Sequence, residues 1–268
     1  MTARTFSDQP FTEIPAMPHK NTALSALPVL PRVKLALAAA SLPWLSLSAA
    51  AGDDYIVYSP RVTQGESEIE MRGFNTRDAD PALDRTGIFG VAYAYSPLSW
   101  WKTELYTGPV NYGPVTGTHV GGVEWENFFQ FTQTNEYWAD VGMLLAYVRN
   151  TPSQISNSVE VGPLIEKETE TTHQKLNLIW EKVVGVDLIG KFNFRATYMG
   201  GYKIDDGFVP GIEAYYRPAD NSNQLGPGLS GEFHVGHKKT LEYSTAFLYG
   251  LNQGAPAHTL VLRLSAVF

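Results

Sequence analysis

Beyond residue 64, bulky apolar residues alternate with polar or small residues at nearly every second position. The alternation is plain in residues 124–126 (Glu-Trp-Glu), 191–195 (Lys-Phe-Asn-Phe-Arg) and 260–264 (Leu-Val-Leu-Arg-Leu). A period of two is the side-chain repeat of a β-strand, whose successive residues point to opposite faces. The sequence therefore predicts an all-β chain whose strands each have an apolar and a polar face.

The predicted strands are long. Most have about ten residues or more, which suits a tilted strand that crosses a membrane and exceeds the roughly five or six residues usual in soluble sheets. We predict a transmembrane antiparallel up-and-down β-barrel of about twelve strands, judged by the even spacing of such segments. The predicted strands are 64–75, 86–96, 98–107, 118–132, 135–149, 158–168, 172–184, 190–202, 208–217, 228–238, 240–250 and 257–268.

The connections between these strands alternate in length. Short ones lie around Pro97, Gln133-Thr134, Glu170-Thr171 and Lys238-Lys239. Longer ones, rich in Gly, Pro, Asn and Asp, cover 76–85, 108–117, 150–157 and 218–227. Tight periplasmic turns and longer outer loops give this pattern in an up-and-down barrel. An even strand number then places both termini of the chain on the periplasmic side, and a soluble β-sandwich is the alternative.

Composition excludes several classes of protein and site. Past residue 51 there is no apolar run of the roughly 20 residues that a membrane-spanning helix needs. The chain has no cysteine, so disulfides, thiol nucleophiles and cysteine-bound metals are excluded. Its formal charge of −7 argues against a nucleic-acid partner. No cofactor motif is found, and none is predicted.

The N-terminal region has the parts of an export signal. Arg32 and Lys34 precede an apolar stretch, 35–47, which ends in the small residues before Asp53. A basic region, an apolar core and an Ala-x-Ala site define a secretory signal peptide, and we predict cleavage after Ala51. The start codon, Met1 or Met17, stays open.

The chain is therefore predicted to have three parts. Residues 1–51 are predicted to be a leader with a cleavable signal peptide. Residues 52–63 are predicted to be a periplasmic extension or a frayed first strand, because Pro60 interrupts them. Residues 64–268 are predicted to form the barrel. The predicted location is the cell outer membrane, with outer-membrane lipid as a partner.

The last strand ends in an apolar series. Residues of one parity are apolar, and residues of the other include Ser265, Arg263 and Thr259. A terminal phenylalanine on such a strand resembles the signal by which the barrel assembly machinery recognises outer-membrane barrels, which makes that machinery a predicted partner during biogenesis. The residues assigned to this assembly signal are Leu260, Leu262, Leu264 and Phe268.

Short phrases of the sequence resemble a broad group of proteobacterial outer-membrane barrels. They are Gly122-Val123-Glu124-Trp125-Glu126, Leu225-Gly226-Pro227, Phe247-Leu248-Tyr249-Gly250-Leu251 and the terminal Phe268. Members of the group are regarded as transporters, some of them linked to meta-pathway phenol degradation. The phrases describe barrel architecture more than a substrate, and the resemblance implies passive passage of small molecules.

Polar positions on the inward parity are predicted to line the lumen. Both signs of charge occur together, so the residues form either a salt-bridge network that satisfies buried charges or the lining of a hydrated pore. Glu66, Glu68 and Glu70 share one strand face and are a weaker candidate for a cation site. The predicted lumen residues are Glu66, Glu68, Glu70, Arg72, Lys102, Glu104, Glu124, Glu126, Lys175, Glu181, Lys191, Arg195, Glu213, Glu232, Glu242 and Arg263.

Catalytic and metal-binding patterns are weak. Ser244, Glu242 and His234 share the inward parity on adjoining strands, but no G-x-S-x-G nucleophile elbow is present. His234 and His237 form an H-x-x-H, which on a strand points the two rings to opposite faces. We predict neither an enzyme nor a metal site.

The predicted function is a passive channel or transporter for a small solute. A closed barrel with a structural or surface-interaction role is the alternative, and an outer-membrane hydrolase is a third hypothesis. The cross-section of the lumen separates the first two.

Overall fold

The structure is a computed structural model that describes residues 55–115, 117–151, 157–184, 192–236 and 239–268. The predicted leader, residues 1–51, lies outside the described residues. Within them, no helix is long and apolar enough to cross a membrane. The strands are β1 Ser67–Arg77, β2 Gly87–Leu98, β3 Trp101–Gly113, β4 Gly117–Val120, β5 Val123–Gln130, β6 Asp140–Arg149, β7 Asn157–Glu168, β8 Thr172–Val184, β9 Phe192–Tyr202, β10 Val209–Arg217, β11 Ser222–His234, β12 Thr240–Gly250 and β13 His258–Val267.

All thirteen strands belong to one antiparallel sheet that closes on itself. β1 pairs with both β2 and β13, and β2 pairs with β3, so the sheet has no free edge along the seam. β4 and β5 both pair with β3 and form the two halves of one interrupted strand. The prediction of a closed, twelve-stranded, up-and-down barrel is confirmed.

The interruption between β4 and β5 depends on glycine. A Cβ atom added to Gly122 would lie 1.6 Å from the carbonyl oxygen of Arg149 on β6. A side chain there would force the two backbones apart, so the close approach requires a residue without one. The strand that pairs with β3 is interrupted at this point.

The two ends of the barrel differ. We call one end the turn end. The strand β13 finishes there, and the β2–β3, β7–β8 and β11–β12 connections lie there. We call the opposite end the loop end. It carries the β1–β2, β10–β11 and β12–β13 connections. In the barrel topology of outer-membrane proteins these are the periplasmic and outer ends.

Side chains alternate between lumen and exterior as predicted. In β2, exposed and buried residues alternate from Phe89 to Ser96. The outward residues include aromatic and branched side chains that remain about half exposed, as a lipid-facing surface requires. Examples are Ile69, Tyr93, Leu105, Trp125, Leu145, Phe247, Leu260 and Leu262.

Some strand boundaries differ from the prediction. The predicted loop 218–227 is mostly strand, since only Pro218–Asp220 and Asn221 separate β10 from β11. Pro227 has no N–H, and the β11–β12 register skips from Leu225 to Gly228 there. The predicted loop 108–117 likewise begins inside β3. The predicted turn at 133–134 is longer, with Asn135 at a left-handed φ of 61°.

Candidate functional site in the barrel lumen

The described residues that precede β1 begin inside the barrel. Tyr55, Ile56, Val57 and Tyr58 are only 5–7% exposed although they belong to no strand. We call residues 55–62 the lumen segment. Of the predicted extension or frayed strand, 52–63, residues 52–54 lie outside the described residues, and the rest pairs with no strand.

The lumen segment runs from the loop end toward the turn end. Arg217, at the loop end of β10, donates a 3.0 Å hydrogen bond to the Tyr55 hydroxyl. The Val62 N–H donates a 2.6 Å hydrogen bond to Oε1 of Gln130, at the turn end of β5. The chain then reverses at Gly65, whose φ of 84° is favourable only for glycine, and enters β1.

Alternate residues of the lumen segment pack on opposite walls. Tyr55 and Val57 contact one apolar cluster, and Ile56 and Tyr58 contact another. An extended chain points successive side chains to opposite sides, so four consecutive apolar residues fill the lumen from wall to wall. The first cluster contains Met199, Tyr215, Ala246, Leu248 and Val261, and the second contains Phe128, Leu144, Ala146, Leu164 and Ile179.

Polar groups of the wall hold Tyr58. Asn177, which is fully buried, accepts a 2.7 Å hydrogen bond from the Tyr58 N–H and donates one of 3.0 Å to its carbonyl oxygen. The Tyr58 hydroxyl donates a 2.5 Å hydrogen bond to Glu126. The Asn177 side chain thus satisfies the backbone that a neighbouring strand would otherwise satisfy.

Arg61 closes the turn end of the lumen segment. Its Nε lies 2.7 Å from Oδ2 of Asp140, and its Nη1 lies 2.5 Å from Oε2 of Glu168 and 3.3 Å from Oε1 of Glu166. Its Nη2 donates a 3.2 Å hydrogen bond to Oδ1 of Asn135. We call these four acceptor residues the Arg61 pocket.

Further cations and donors surround the Arg61 pocket. His173 Nε2 lies 2.7 Å from Oε1 of Glu166, and Lys203 Nζ lies 2.5 Å from Oε1 of Glu168. The hydrogen bond to Glu168 raises the pKa of the Lys203 ammonium above its usual value. Glu166, Glu168 and His173 have ligand atoms within 4.8 Å of one another and are residues that could hold a metal. Arg61 and Lys203 already occupy these carboxylates, so we assign no ion.

A second charge network surrounds Arg72 of β1. Its Nη2 lies 3.2 Å from Glu104 and 3.4 Å from Glu126, which face each other across β3 and β5. The guanidinium also stacks on the Tyr106 ring at 4.2 Å. Two like charges directly opposite destabilise a sheet, and the arginine between them compensates both.

Two more arginines pair inside the lumen. Arg195 makes a bidentate ion pair with Glu160, at 2.7 and 2.6 Å. Arg263 pairs with Glu213, which also accepts a 2.6 Å hydrogen bond from the hydroxyl of Tyr215. These buried charges are compensated by fixed partners on strands that are not adjacent in the sheet.

A cavity of about 430 Å³ remains at the turn end of the lumen. Residues of the lumen segment and two members of the Arg61 pocket, Glu166 and Glu168, form part of its boundary. Of the predicted lumen residues, those that line it are Glu66, Glu68, Glu70, Lys102, Glu104, Lys175, Glu232, Glu242 and Arg263.

The remaining predicted lumen residues lie deeper or elsewhere. Arg72, Glu124, Glu126, Arg195 and Glu213 are buried. Glu181 has the same parity as the buried Ile179, and Lys191 lies outside the described residues. In the proposed cation run, Glu68 lies 3.3 Å from Lys102 and Glu70 lies 3.9 Å from Arg72. All four residues of the assembly series lie on the outward parity.

The candidate hydrolase residues are not brought together. Ser244 accepts a 2.9 Å hydrogen bond from Arg263 and donates one of 3.1 Å to Glu213. His234 instead contacts Thr240 at 3.1 Å. Of the H-x-x-H pair, His237 lies outside the described residues.

Sequence reasoning missed the lumen segment with its Arg61, the Arg61 partners Glu166 and Glu168, and Glu160, the partner of Arg195. One signal was present in β6, where Leu144, Ala146 and Val148 point inward while the outward positions are also apolar. A strand that is apolar on both faces is typical of burial on both sides. The apolar run 55–58 supplies the matching surface.

No protein-family model matches this sequence, and the search of curated proteins gives no match either. Among solved structures, an outer-membrane channel from Pseudomonas putida F1 aligns with a TM-score of 0.55 at 13% identity, over 81% of this chain and 99% of that one. The chain has the fold of an outer-membrane β-barrel. Its apolar exterior agrees with an outer-membrane location.

Two porins align less well. The NanC porin gives a TM-score of 0.48 at 12% identity, over 75% of this chain and 98% of that one. An anion-selective porin from Comamonas acidovorans gives 0.34 at 9% identity, over 76% and 97%. The likeness to the P. putida channel is one of fold.

Proposed function

We propose that this chain is a passive outer-membrane channel that is closed in this conformation by its own lumen segment. The observation that supports this is the contrast between the wall and the segment. The wall is a continuous hydrogen-bonded barrel, whereas the segment is held by side-chain contacts at Tyr58, Arg61 and Val62. Its withdrawal breaks no strand pairing.

Small solutes would then pass by diffusion through the vacated lumen. The charged residues of the wall have fixed partners, so their positions do not depend on the segment alone. A channel lining of paired charges orients polar solutes without trapping them. We further propose that the chain belongs with the transporter group linked to meta-pathway phenol degradation, on the phrases around Trp125, Gly226 and Tyr249.

Export and assembly complete the proposal. Cleavage after Ala51 would release the leader, leaving residues 52–63 as the start of the mature protein. The outward parity of Leu260, Leu262 and Leu264 agrees with a β-signal read by the assembly machinery. Outer-membrane lipid would contact the exposed aromatic and aliphatic exterior.

A closed structural barrel is the second candidate. The filled mid-lumen and the direct ion pairs favour it, because nothing in a sealed scaffold needs to move. In that case the outer loops would carry an interaction with a partner.

Planar-bilayer conductance separates the two. We expect the double variant Tyr58→Ala/Arg61→Ala to conduct more often than the unmodified mature chain. The variant loses the side-chain hydrogen bond of Tyr58 and the ion pairs of Arg61 that attach the lumen segment to the wall. Tyr93→Ala, which removes a lipid-facing aromatic that is 52% exposed, is the matched control. If neither the unmodified chain nor the double variant conducts, while both remain folded barrels, the structural role replaces the channel.

A further inference from the structure

The Arg61 pocket is a complete receptor for a guanidinium group. All three nitrogens of Arg61 are engaged, Nε by Asp140, Nη1 by Glu166 and Glu168, and Nη2 by Asn135. The side chains of Asp140 and Glu166 are each only 2% exposed. These acceptors lie along the edges of the planar guanidinium group. Such an arrangement matches the fixed donor geometry of guanidinium better than the donor geometry of an ammonium ion.

The pocket is built by the barrel and not by the lumen segment. Asp140 begins β6, and Glu166 and Glu168 end β7. Asn135 is fixed by a 2.7 Å hydrogen bond from its own N–H to Asp140. Lys203 holds Glu168 from the opposite side. The receptor is thus organised by parts of the wall that do not depend on Arg61 for their fold.

The pocket is accessible from the turn end. Arg61, Glu166, Glu168 and His173 border the cavity of about 430 Å³. A small solute that enters the cavity therefore meets two of the three carboxylates that Arg61 contacts, those of Glu166 and Glu168. After removal of Arg61, Lys203 Nζ would still lie 2.5 Å from Glu168, and His173 Nε2 would still lie 2.7 Å from Glu166.

We propose that the Arg61 pocket is a binding site for guanidinium-bearing solutes, and that Arg61 occupies it in place of such a solute when the lumen is closed. The link to opening rests on the proposed channel function: a solute that displaces Arg61 loosens the turn end of the lumen segment. A tethered group competes with an effective concentration on the order of millimolar for a short flexible link. Displacement in the unmodified protein therefore needs solute at similar concentrations.

The site is tested by chemical complementation of the mature chain in detergent. Titration calorimetry with N-ethylguanidinium is expected to show binding to Arg61→Ala, and at least tenfold weaker binding to the unmodified protein. Arg61→Ala with Glu166→Gln and Glu168→Gln is expected to lose it. Arg85→Ala, which removes a guanidinium from the exposed pair with Asp84, is the matched control and is expected to gain no binding.

Two results would overturn the proposal. One is a folded Arg61→Ala barrel that binds no N-ethylguanidinium, or binds ethylammonium equally well. The other is a Zn²⁺ or Ca²⁺ titration that saturates Arg61→Ala and excludes N-ethylguanidinium, which would make Glu166, Glu168 and His173 a metal site. Heat-modifiable migration on gels establishes that each variant is folded.

A conductance arm separates this site from the channel. N-ethylguanidinium is expected to raise the open fraction of the unmodified protein at millimolar concentration. Binding to Arg61→Ala without any conductance supports the site and removes the channel. Conductance of the unmodified protein without binding to Arg61→Ala supports the channel and removes the site.

Discussion

The hydroxyl of Tyr58 donates a 2.5 Å hydrogen bond to Oε1 of Glu126, joining the lumen segment to a fully buried carboxylate of the wall. Tyr58→Phe would leave that oxygen without its donor. We expect a loss of about 1–3 kcal/mol in the free energy of unfolding, the usual cost of an unsatisfied buried acceptor. Urea unfolding in detergent measures it. Tyr147→Phe, on the lipid side, is the control, and equal losses in both would contradict the assignment.

Arg72 compensates two carboxylates that face each other across neighbouring strands. Arg72→Met is expected to lower the free energy of unfolding by roughly 3–5 kcal/mol, because buried charges lose their partner. The triple variant with Glu104→Gln and Glu126→Gln is expected to recover most of the loss. A triple variant as unstable as Arg72→Met would show that packing of the arginine on Tyr106 matters more than its charge.

The bidentate pair of Arg195 and Glu160 joins β9 to β7 across β8. A double-mutant cycle with Arg195→Met and Glu160→Gln is expected to show that the paired change costs less than the sum of the single changes. Each single change leaves a buried polar group without its partner, and the double change removes both. Strict additivity of the unfolding free energies would mean that the pair does not interact.

Gly122 lies where a Cβ would come within 1.6 Å of a backbone oxygen. Gly122→Ala is expected to destabilise the barrel by more than about 1 kcal/mol, because backbone has to move to admit the methyl group. Gly228→Ala is the matched control, since its added Cβ would meet Glu213 Cγ at 3.3 Å, a contact that a side chain can relieve. The thermal unfolding midpoints of both variants in detergent measure the two effects. A smaller fall in the midpoint for Gly122→Ala than for Gly228→Ala would contradict the prediction.

The outer loop 78–86 is expected to lose order at low pH. The Asp78 N–H donates a 3.2 Å hydrogen bond to Asp84, and this bond, with help from Arg85, holds the Asp84 pKa below its usual value. Because the Asp84 pKa is lower in the folded loop, the ionised carboxylate stabilises the loop above the unfolded pKa of about 3.9. This contribution to stability disappears as the pH falls through the folded pKa. Hydrogen exchange of the Asp78 amide, followed against pH, measures this. Asp84→Asn is expected to remove the step.

The barrel was predictable because its exterior obeys a simple rule. Lipid requires apolar side chains at alternate positions, and Tyr93, Trp125, Leu260 and Leu262 follow that rule whatever the lumen contains. The boundary between β10 and β11 was harder to predict from the sequence. Gly226 and Pro227 are typical of a loop, but their pairing with Glu213 and Ile212 of β10 holds them within the sheet.

The contents of the lumen were not predictable from alternation. The inward parity is predicted to hold a salt-bridge network or the lining of a hydrated pore, yet Leu144, Leu164 and Ile179 face the lumen segment. Contact between the lumen segment and residues over a hundred positions away is a long-range choice, as between Tyr58 and Asn177. Charge type alone did not reveal that Arg61 would join Asp140 and Glu168.

The apolar lining has a consequence for any open state. Once the lumen segment leaves, Phe128, Leu144, Leu164 and Ile179 would line one wall at the same height. Water is poorly held between apolar surfaces in a narrow pore, and such constrictions gate by dewetting. Opening of the proposed channel would then have two barriers, release of the lumen segment and hydration of this wall. A barrel without its lumen segment in place and a wetted, conducting barrel would be distinct states.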